Sequence, residues 1–332
     1  MKQFRHAWVW VVLSAIGCKG SDSKIYRLTE MEVFLQEPTN MVDVLWVVDN
    51  SQSMANEQAK IAARFDDFVT GINDAGVDWH VGVVSTDLDD LEQAGLLRGE
   101  PNVLTVDTEN YRDLFQERVR VGIDGSDMEK GIDAAYQALS QPRISGANYG
   151  FRRSGAMLMV NYFSDENDCS DRGELWGLDS DEPCYTHAGR LVPVVDLIDD
   201  YRNLVEGDER LIVNAIVGPA ISEGCEGAKP GSRYKTMSYA FGGLQEDICE
   251  TDFGALMEDL GLQAGGMKTS FILANYAVES SIRVWVEDVE MAADPDNGWA
   301  YDAEYHVVHF YGDGIPPRGS RIQVEYEVAR PG

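Results

Sequence analysis

Continuous apolar runs alternate with helical stripes through most of this chain. Residues 44–48, Val-Leu-Trp-Val-Val, form one such run, and it ends abruptly at Asp49. A run of this length between polar residues predicts a strand buried on both faces, as in a parallel sheet. Ile61, Phe65, Phe68 and Ile72 then recur at helical spacing, with Arg64, Asp66 and Asp67 between them. Further apolar strands are predicted at 79–84, 156–163 and 211–217, and a short helix at 111–119. A helix is predicted to open at Gly125-Ser126-Asp127-Met128-Glu129, where Ser126 and Glu129 fit a capping box, and to bury Ile132, Ala135, Tyr136 and Leu139. Val194, Leu197, Ile198, Tyr201 and Val205 mark another helix, and Phe253, Leu256, Met257 and Leu260 a last one. Strand and helix alternate from 43 to about 265, which predicts a doubly wound α/β fold: a mostly parallel sheet with helices on both faces.

The two ends have a different pattern. Residues 31–36 predict a short edge strand stopped by Pro38. In the tail, Ile282, Val284 and Val286 alternate with Arg283, Trp285 and Glu287. Trp299, Tyr301, Tyr305 and Val307 keep period two, as do Ile322, Val324, Tyr326 and Val328. Asn297-Gly298 and Gly312-Asp313-Gly314 predict turns. The tail therefore predicts a small β-module over 278–330, a segment so short that it has little core of its own.

Composition changes this picture in three places. A hydrophobic content of 44% in 332 residues is enough for a real core in a large domain plus a small one. A net charge of -30 makes nucleic acid and anionic membrane surfaces poor partners. The N-terminus reads as a processing segment: Lys2 and Arg5, then a short apolar stretch over 8–13, then Ala15-Ile16-Gly17-Cys18. Those last four residues resemble the lipobox of bacterial lipoproteins, with Ala15 where Leu is usual. The resemblance implies a lipoprotein signal peptide over 1–17, lipidation of Cys18 and a tether with lead-in strand over 18–41. Lys19 after the Cys resembles the outer-membrane default. An ordinary signal peptide with a free Cys remains open.

If Cys18 carries lipid, Cys169, Cys184, Cys225 and Cys249 remain, an even count that suggests disulfides in an exported chain. Three pairings are allowed. The local one, Cys169–Cys184 with Cys225–Cys249, brackets two polar, Gly-containing loops. Closing the shorter loop would contribute about 3 kcal/mol in the chain-entropy account. Zinc is disfavoured, because no Cys-x-x-Cys spacing occurs.

The candidate chemistry sits at the end of the first apolar run. Asp49, Ser51 and Ser53 offer one anionic and two neutral oxygens, the donors that hard divalent cations take. The plainer reading is a strand-to-helix turn in which a Ser caps the next helix. Asp-x-Ser-x-Ser after an apolar strand resembles the metal-ion-dependent adhesion site (MIDAS) of von Willebrand factor type A (VWA) domains. The likeness covers about 42–265, and the expected domain runs over 42–270. The family adds a Thr from a loop before a central helix and an Asp from the next core strand. Ser126 holds the first place here, with Ser for Thr. Asp165 holds the second, with Asp168 as a neighbouring competitor. The whole chain, tail included, resembles the VWA lipoproteins of myxobacteria.

The resemblance implies Mg²⁺, with Mn²⁺ possible, one or both Asp acting through water, and an open position for a carboxylate from a protein or surface ligand. An acidic partner would be repelled at long range, so association would be slow and salt-sensitive. With no His, Lys or Cys expected near the three-loop oxygen site to act as base or nucleophile, the expectation is a non-enzymatic adhesion module of the cell envelope. The alternatives are a structural envelope component whose metal only stabilises the fold, and a metal-dependent hydrolase. Other features take plain readings. His306 and His309 are three apart on a strand and face opposite ways. Asp294-x-Asp296-x-Gly298 lacks the rest of a calcium loop and predicts a turn. No Gly-x-Gly-x-x-Gly or Walker sequence follows a strand.

Overall fold

The computed structural model describes residues 28–36, 39–177, 183–205, 207, 210–220, 225, 227–303 and 305–329. The expected signal peptide, 1–17, and Cys18 lie outside the described residues. In chain order the elements are β1 (Thr29–Leu35), β2 (Met41–Val48), α1 (Ala55–Ala63), α2 (Phe65–Asp74), β3 (Asp78–Ser85), α3 (Tyr111–Arg118), α4 (Gly131–Leu139) and β4 (Met157–Ser164). There follow α5 (Pro183–Thr186), α6 (Val194–Arg202), β5 (Leu211–Val217), α7 (Ser232–Phe241), β6 (Gln245–Asp247), α8 (Gly254–Ala264) and β7 (Ser270–Ile272). The chain ends with β8 (Arg283–Val286), β9 (Val289–Met291), β10 (Trp299–Asp302), β11 (Val307–Phe310) and β12 (Arg321–Glu327). Among the described residues no helix is long and apolar enough to cross a membrane.

The described residues form two compact units, one within 39–265 and the other of 28–36 with those of 266–329. The first is an α/β unit on a five-stranded sheet of order β3-β2-β4-β5-β6, with every pairing parallel. Burial on both faces explains why β2 is apolar at every position but Asp43, which is buried and bonded by Arg153. Val42, Val44, Trp46 and Val48 face a core completed by α1, α2, α3 and α8, while Leu45 and Val47 face a second core completed by α4, α6 and α7. Trp46 anchors the first core, stacked 5.2 Å from Phe163 and edge-on to Phe68 and Phe115. Helices α2 and α8 pack closely because Gly71 and Gly261 meet. A Cβ on Gly261 would stand 2.3 Å from the Phe68 carbonyl oxygen.

Three local expectations change. The single helix expected after Asp49 is two helices, broken at Arg64, whose N–H bonds the Ile61 carbonyl at 3.2 Å. The helix expected from Ser126 begins at Gly131, and its first N–H groups are met not by a local cap but by Tyr234, Asp168 and Ser170. Helix α7 and strand β6 had no counterpart in the sequence reading. The disulfides are the local pair, Cys169–Cys184 and Cys225–Cys249, with Cα atoms 5.4 and 5.5 Å apart.

The second unit is antiparallel. Its sheets are β1-β12-β8-β9 and β10-β11-β7. The strand expected as a lead-in to the α/β domain instead pairs along its whole length with β12, from Thr29 opposite Glu327 to Leu35 opposite Arg321. The expected boundary at 270 moves to 265, and β7 lies in this unit. Strands from both flanks thus supply the core that 278–330 alone would lack. Phe271, Val284, Val286, Val308, Phe310, Ile322, Val324 and Tyr326 form it. His309 bonds Ser270 and His306 bonds the Leu273 carbonyl, so both serve this unit. Asp294 accepts the N–H groups of Asp296 and Asn297, the expected turn.

Candidate functional site

Strand β2 has β3 on one side and β4 on the other, so the chain reverses its winding direction there. In open α/β sheets the crevice outside the carboxyl ends at such a point is where ligands bind. Asp49 stands at that place. Its N–H bonds the Phe163 carbonyl of β4 at 3.0 Å, and the Ser164 hydroxyl donates to its Oδ2 at 2.6 Å. Its Oδ1 accepts the Ser51 N–H at 2.7 Å, which turns the chain and sends Ser51 and Ser53 out side by side, hydroxyls 3.0 Å apart. Gln58, on α1, ties the Asp49 carbonyl (2.9 Å) to that of Gly122 (2.7 Å) and so fixes one loop against the next.

Asp165, one residue past β4, shares a side-chain hydrogen bond with Ser53, while its Oδ1 is buried without a partner. Thus Asp49, Ser51, Ser53 and Asp165 are brought together. Asp168, the competing acid, is committed elsewhere. Its oxygens accept from the Ile132 N–H, the Ser170 N–H and hydroxyl, and Arg233 Nε.

Ser126 is placed differently. Its loop does reach the 49–53 loop, since the Gly125 N–H bonds the Asn50 carbonyl at 3.0 Å. Gly125 packs against the end of the Asn50 side chain, which would have to move to admit a Cβ, 2.1 Å from its Oδ1. The Ser126 hydroxyl, however, donates to Asp89 at 2.8 Å and accepts the Met128 N–H at 3.1 Å, while the Ser126 N–H bonds Asp87. The expected capping box is absent, because Glu129 turns away from Ser126. Glu129 is 1% exposed, accepts the Thr86 hydroxyl on Oε2, and leaves Oε1 buried and unpartnered.

Glu129 is the residue that the sequence reading missed. The Ser-x-x-Glu spacing had assigned it to a cap, and only the fold turns it towards the Asp49 side. Its charge and that of Asp49 act on each other. Burial raises the Glu129 carboxyl well above its ordinary value, and the Asp49 charge is the next cause. Burial likewise pushes Asp49 up to about 7, against the hydrogen bonds from Ser164 and Ser51, with the Asp165 charge adding to the rise. Asp165 is raised by burial too. These acids concentrate negative charge in a dry place, the condition that a bound cation relieves.

Two further observations limit the chemistry. The Asp49, Glu129 and Asp165 oxygens do not lie within 4.8 Å of one another as a trio. Among the described residues the one such grouping of His, Cys, Asp and Glu is Cys225, Asp247 and Cys249, and its two cysteines are bonded to each other. A Lys does approach the site, contrary to expectation. The Lys229 N–H bonds the Asp165 carbonyl at 2.7 Å, and its Nζ lies 3.7 Å from Glu166.

No family model and no curated relative matches the chain. Several solved structures are similar. One is a von Willebrand factor type A protein from Catenulispora acidiphila, with 12% identity and a TM-score of 0.41, over 93% of this chain and 62% of that one. The pilus adhesin SpaC of Lactobacillus rhamnosus GG, in its open conformation, gives 12% and 0.39 over 91% of this chain and 41% of that one. Human COPII-coat protein Sec24c gives 11% and 0.39 over 90% and 41%. The chain spans less than two thirds of each of these structures. The fold class rests on the parallel sheet itself.

Proposed function

We propose that the α/β unit is a VWA-type module that holds a divalent cation, Mg²⁺ or Mn²⁺, at the carboxyl ends of β2 and β4, and through it a carboxylate of a protein or surface ligand. The observation that carries this reading is the pair of orphaned oxygens. Asp165 Oδ1 and Glu129 Oε1 are buried without partners beside a fully buried Asp49. Buried acids with no cation of their own cost several kcal/mol, roughly, unless a counter-charge arrives. All candidate donors are oxygens, which suits a hard cation that keeps some water. Ser51 and Ser53 would hold the ion directly; Asp49 and Asp165 would act on it directly or through water. The ion would supply an electrophilic position for the partner's acid. The module would bind and not turn over substrate. Two disulfides fit an exported chain, and the lipobox-like Cys18 would tether it to the cell envelope, with the outer membrane as the proposed site.

A calorimetric titration of Mg²⁺ into the protein and into Asp49→Asn tests the cation. Saturable binding lost in the variant supports it; equal heats in both sink it. One observation favours a second reading, in which the metal only stabilises the fold. Glu129 adds a third carboxylate, and each added anionic ligand makes the cation less able to recruit an outside one. Under that reading chelation lowers Tm, yet crosslinked partners in intact cells do not change with chelator.

A further inference from the structure

The same unit holds a cavity whose lining includes none of the candidate cation donors. It measures about 530 Å³ and is bounded by the 92–102 loop, the end of α3 and Ala147. Arg98 and Arg118 are in its lining, with Glu92, Glu100 and Glu117. Arg118 is 4% exposed, and its Nη1 and Nη2 are buried with no partner. Arg98 Nε is buried and unpartnered as well, and its Nη1 has one long bond, 3.4 Å, to Gln93. Gly99 makes room for this arrangement: it lies in the left-handed region at φ +80°, and a Cβ there would stand 2.4 Å from Arg118 Nε.

An unpaired guanidinium inside a chain of net charge -30 is an anomaly, since acids are abundant and none of the described ones closes on it. Glu100 and Glu117 influence Arg118 only at longer range. Two free Nη groups on one planar fork match the two oxygens of a carboxylate. The three glutamates of the lining are exposed, so acids rim the cavity while guanidiniums floor it. That rim repels polyanions and attracts a positive group. A volume of this size suits a small molecule.

We propose that this cavity binds a small zwitterion of the α-amino acid type, its carboxylate on Arg118 and Arg98 and its ammonium towards the glutamate rim. The site is independent of the proposed cation. The test is a thermal-shift and calorimetric screen of the full chain against the twenty free amino acids, with acetate and sulfate as probes lacking the positive group, all in the presence of chelator. At least one amino acid should raise Tm and bind tenfold or more tighter than acetate or sulfate. Arg118→Gln should weaken that binding at least tenfold. If that variant does not fold, Arg98→Gln supplies the same comparison from the less buried residue. No response to any amino acid, acetate or sulfate binding as tightly, or unchanged binding in the folded variants would each overturn the proposal.

Discussion

Two groups of buried carboxylates lie along one edge of the same sheet, and they are solved in opposite ways. In one, Asp168 and Asp171 have partners on both oxygens: Arg233, Ser170 and the Ile132 N–H for Asp168, and Lys130 and the Leu175 N–H for Asp171. In the other, Asp49, Glu129 and Asp165 form no ion pair among the described residues, and two of their oxygens have no partner at all. The first arrangement is what a structural network requires, since a buried charge is tolerated when it is paired. The second is left incomplete by the chain itself. Burial alone does not distinguish a functional acid from a structural one; unmet hydrogen-bonding capacity beside like charges does.

The largest expected effect comes from breaking the complete cluster. Arg233→Met would leave the fully buried Asp168 without its cation, which costs about 3–5 kcal/mol. Urea denaturation reads this as a lower midpoint at unchanged m-value. Mg²⁺ should not restore the loss, because nothing in this cluster awaits a metal. Recovery on adding Mg²⁺ would erase the distinction between the two groups.

The same change in the incomplete cluster should run the other way. Asp49→Asn removes a buried charge that has no counter-ion, so the chelated protein should gain stability, on the order of 1–3 kcal/mol. The rise in Tm that Mg²⁺ gives the unmodified protein should vanish in the variant. A loss of stability in chelator would mean that Asp49 is a structural acceptor for Ser51 and Ser164 and little more.

Protonation sharpens the comparison from the structural side. Burial, with the Asp168 charge, pushes Asp133 up to about 6 from an ordinary value of 3.8. Its folded pKa is the higher one, so the native state takes the proton first. The penalty is fully present above pH 6 and is relieved as pH falls towards 3.8, a gain of at most about 3 kcal/mol at 1.36 kcal/mol per unit. Asp133→Asn should flatten that segment of the stability-against-pH curve, measured in chelator. A curve of unchanged slope would show that Asp133 keeps an ordinary pKa.

The legible parts of the molecule were those whose pattern is local. Strand β2 could be read because burial on both faces makes 44–48 apolar without a break, and β12 because burial on one face imposes period two. Strand β6, Gln245-Glu246-Asp247, has no apolar residue; it is a strand because Ala215 to Val217 offer it an edge. The pairing of β1 with β12 joins residues at opposite ends of the chain, and nothing in residues 31–36 names that partner. Helix α7 carries a legible stripe, Tyr234, Met237 and Phe241, but the Gly and Cys residues before it drew the segment into a loop. At the site, Asp49, Ser51 and Ser53 share one turn and could be read together. Glu129 and Arg118 could not. Glu129 reads as half of a capping box and Arg118 as a surface charge until the fold buries each and leaves some of its polar atoms without a partner.

Glu129 therefore gives the finest test of the contrast, with the smallest effect. If Oε1 belongs to the cation's surroundings, Glu129→Gln keeps the shape and the bond from Thr86 but removes one negative charge beside Asp49. Residues that support a metal from outside its direct ligands typically alter affinity by about 10–100-fold. Mg²⁺ affinity in the variant should fall within that range, while chelated stability should hold or rise. Binding of a carboxylate-bearing partner, measured at saturating Mg²⁺, should improve, because a less neutralised cation attracts an outside acid more strongly. Weaker Mg²⁺ with stronger partner binding would separate an adhesion site from a purely structural metal. If both weaken together, Glu129 orders the loop and does not tune the ion. If neither moves, the orphaned Oε1 is no part of the site, and Asp49, Ser51, Ser53 and Asp165 must account for the cation alone.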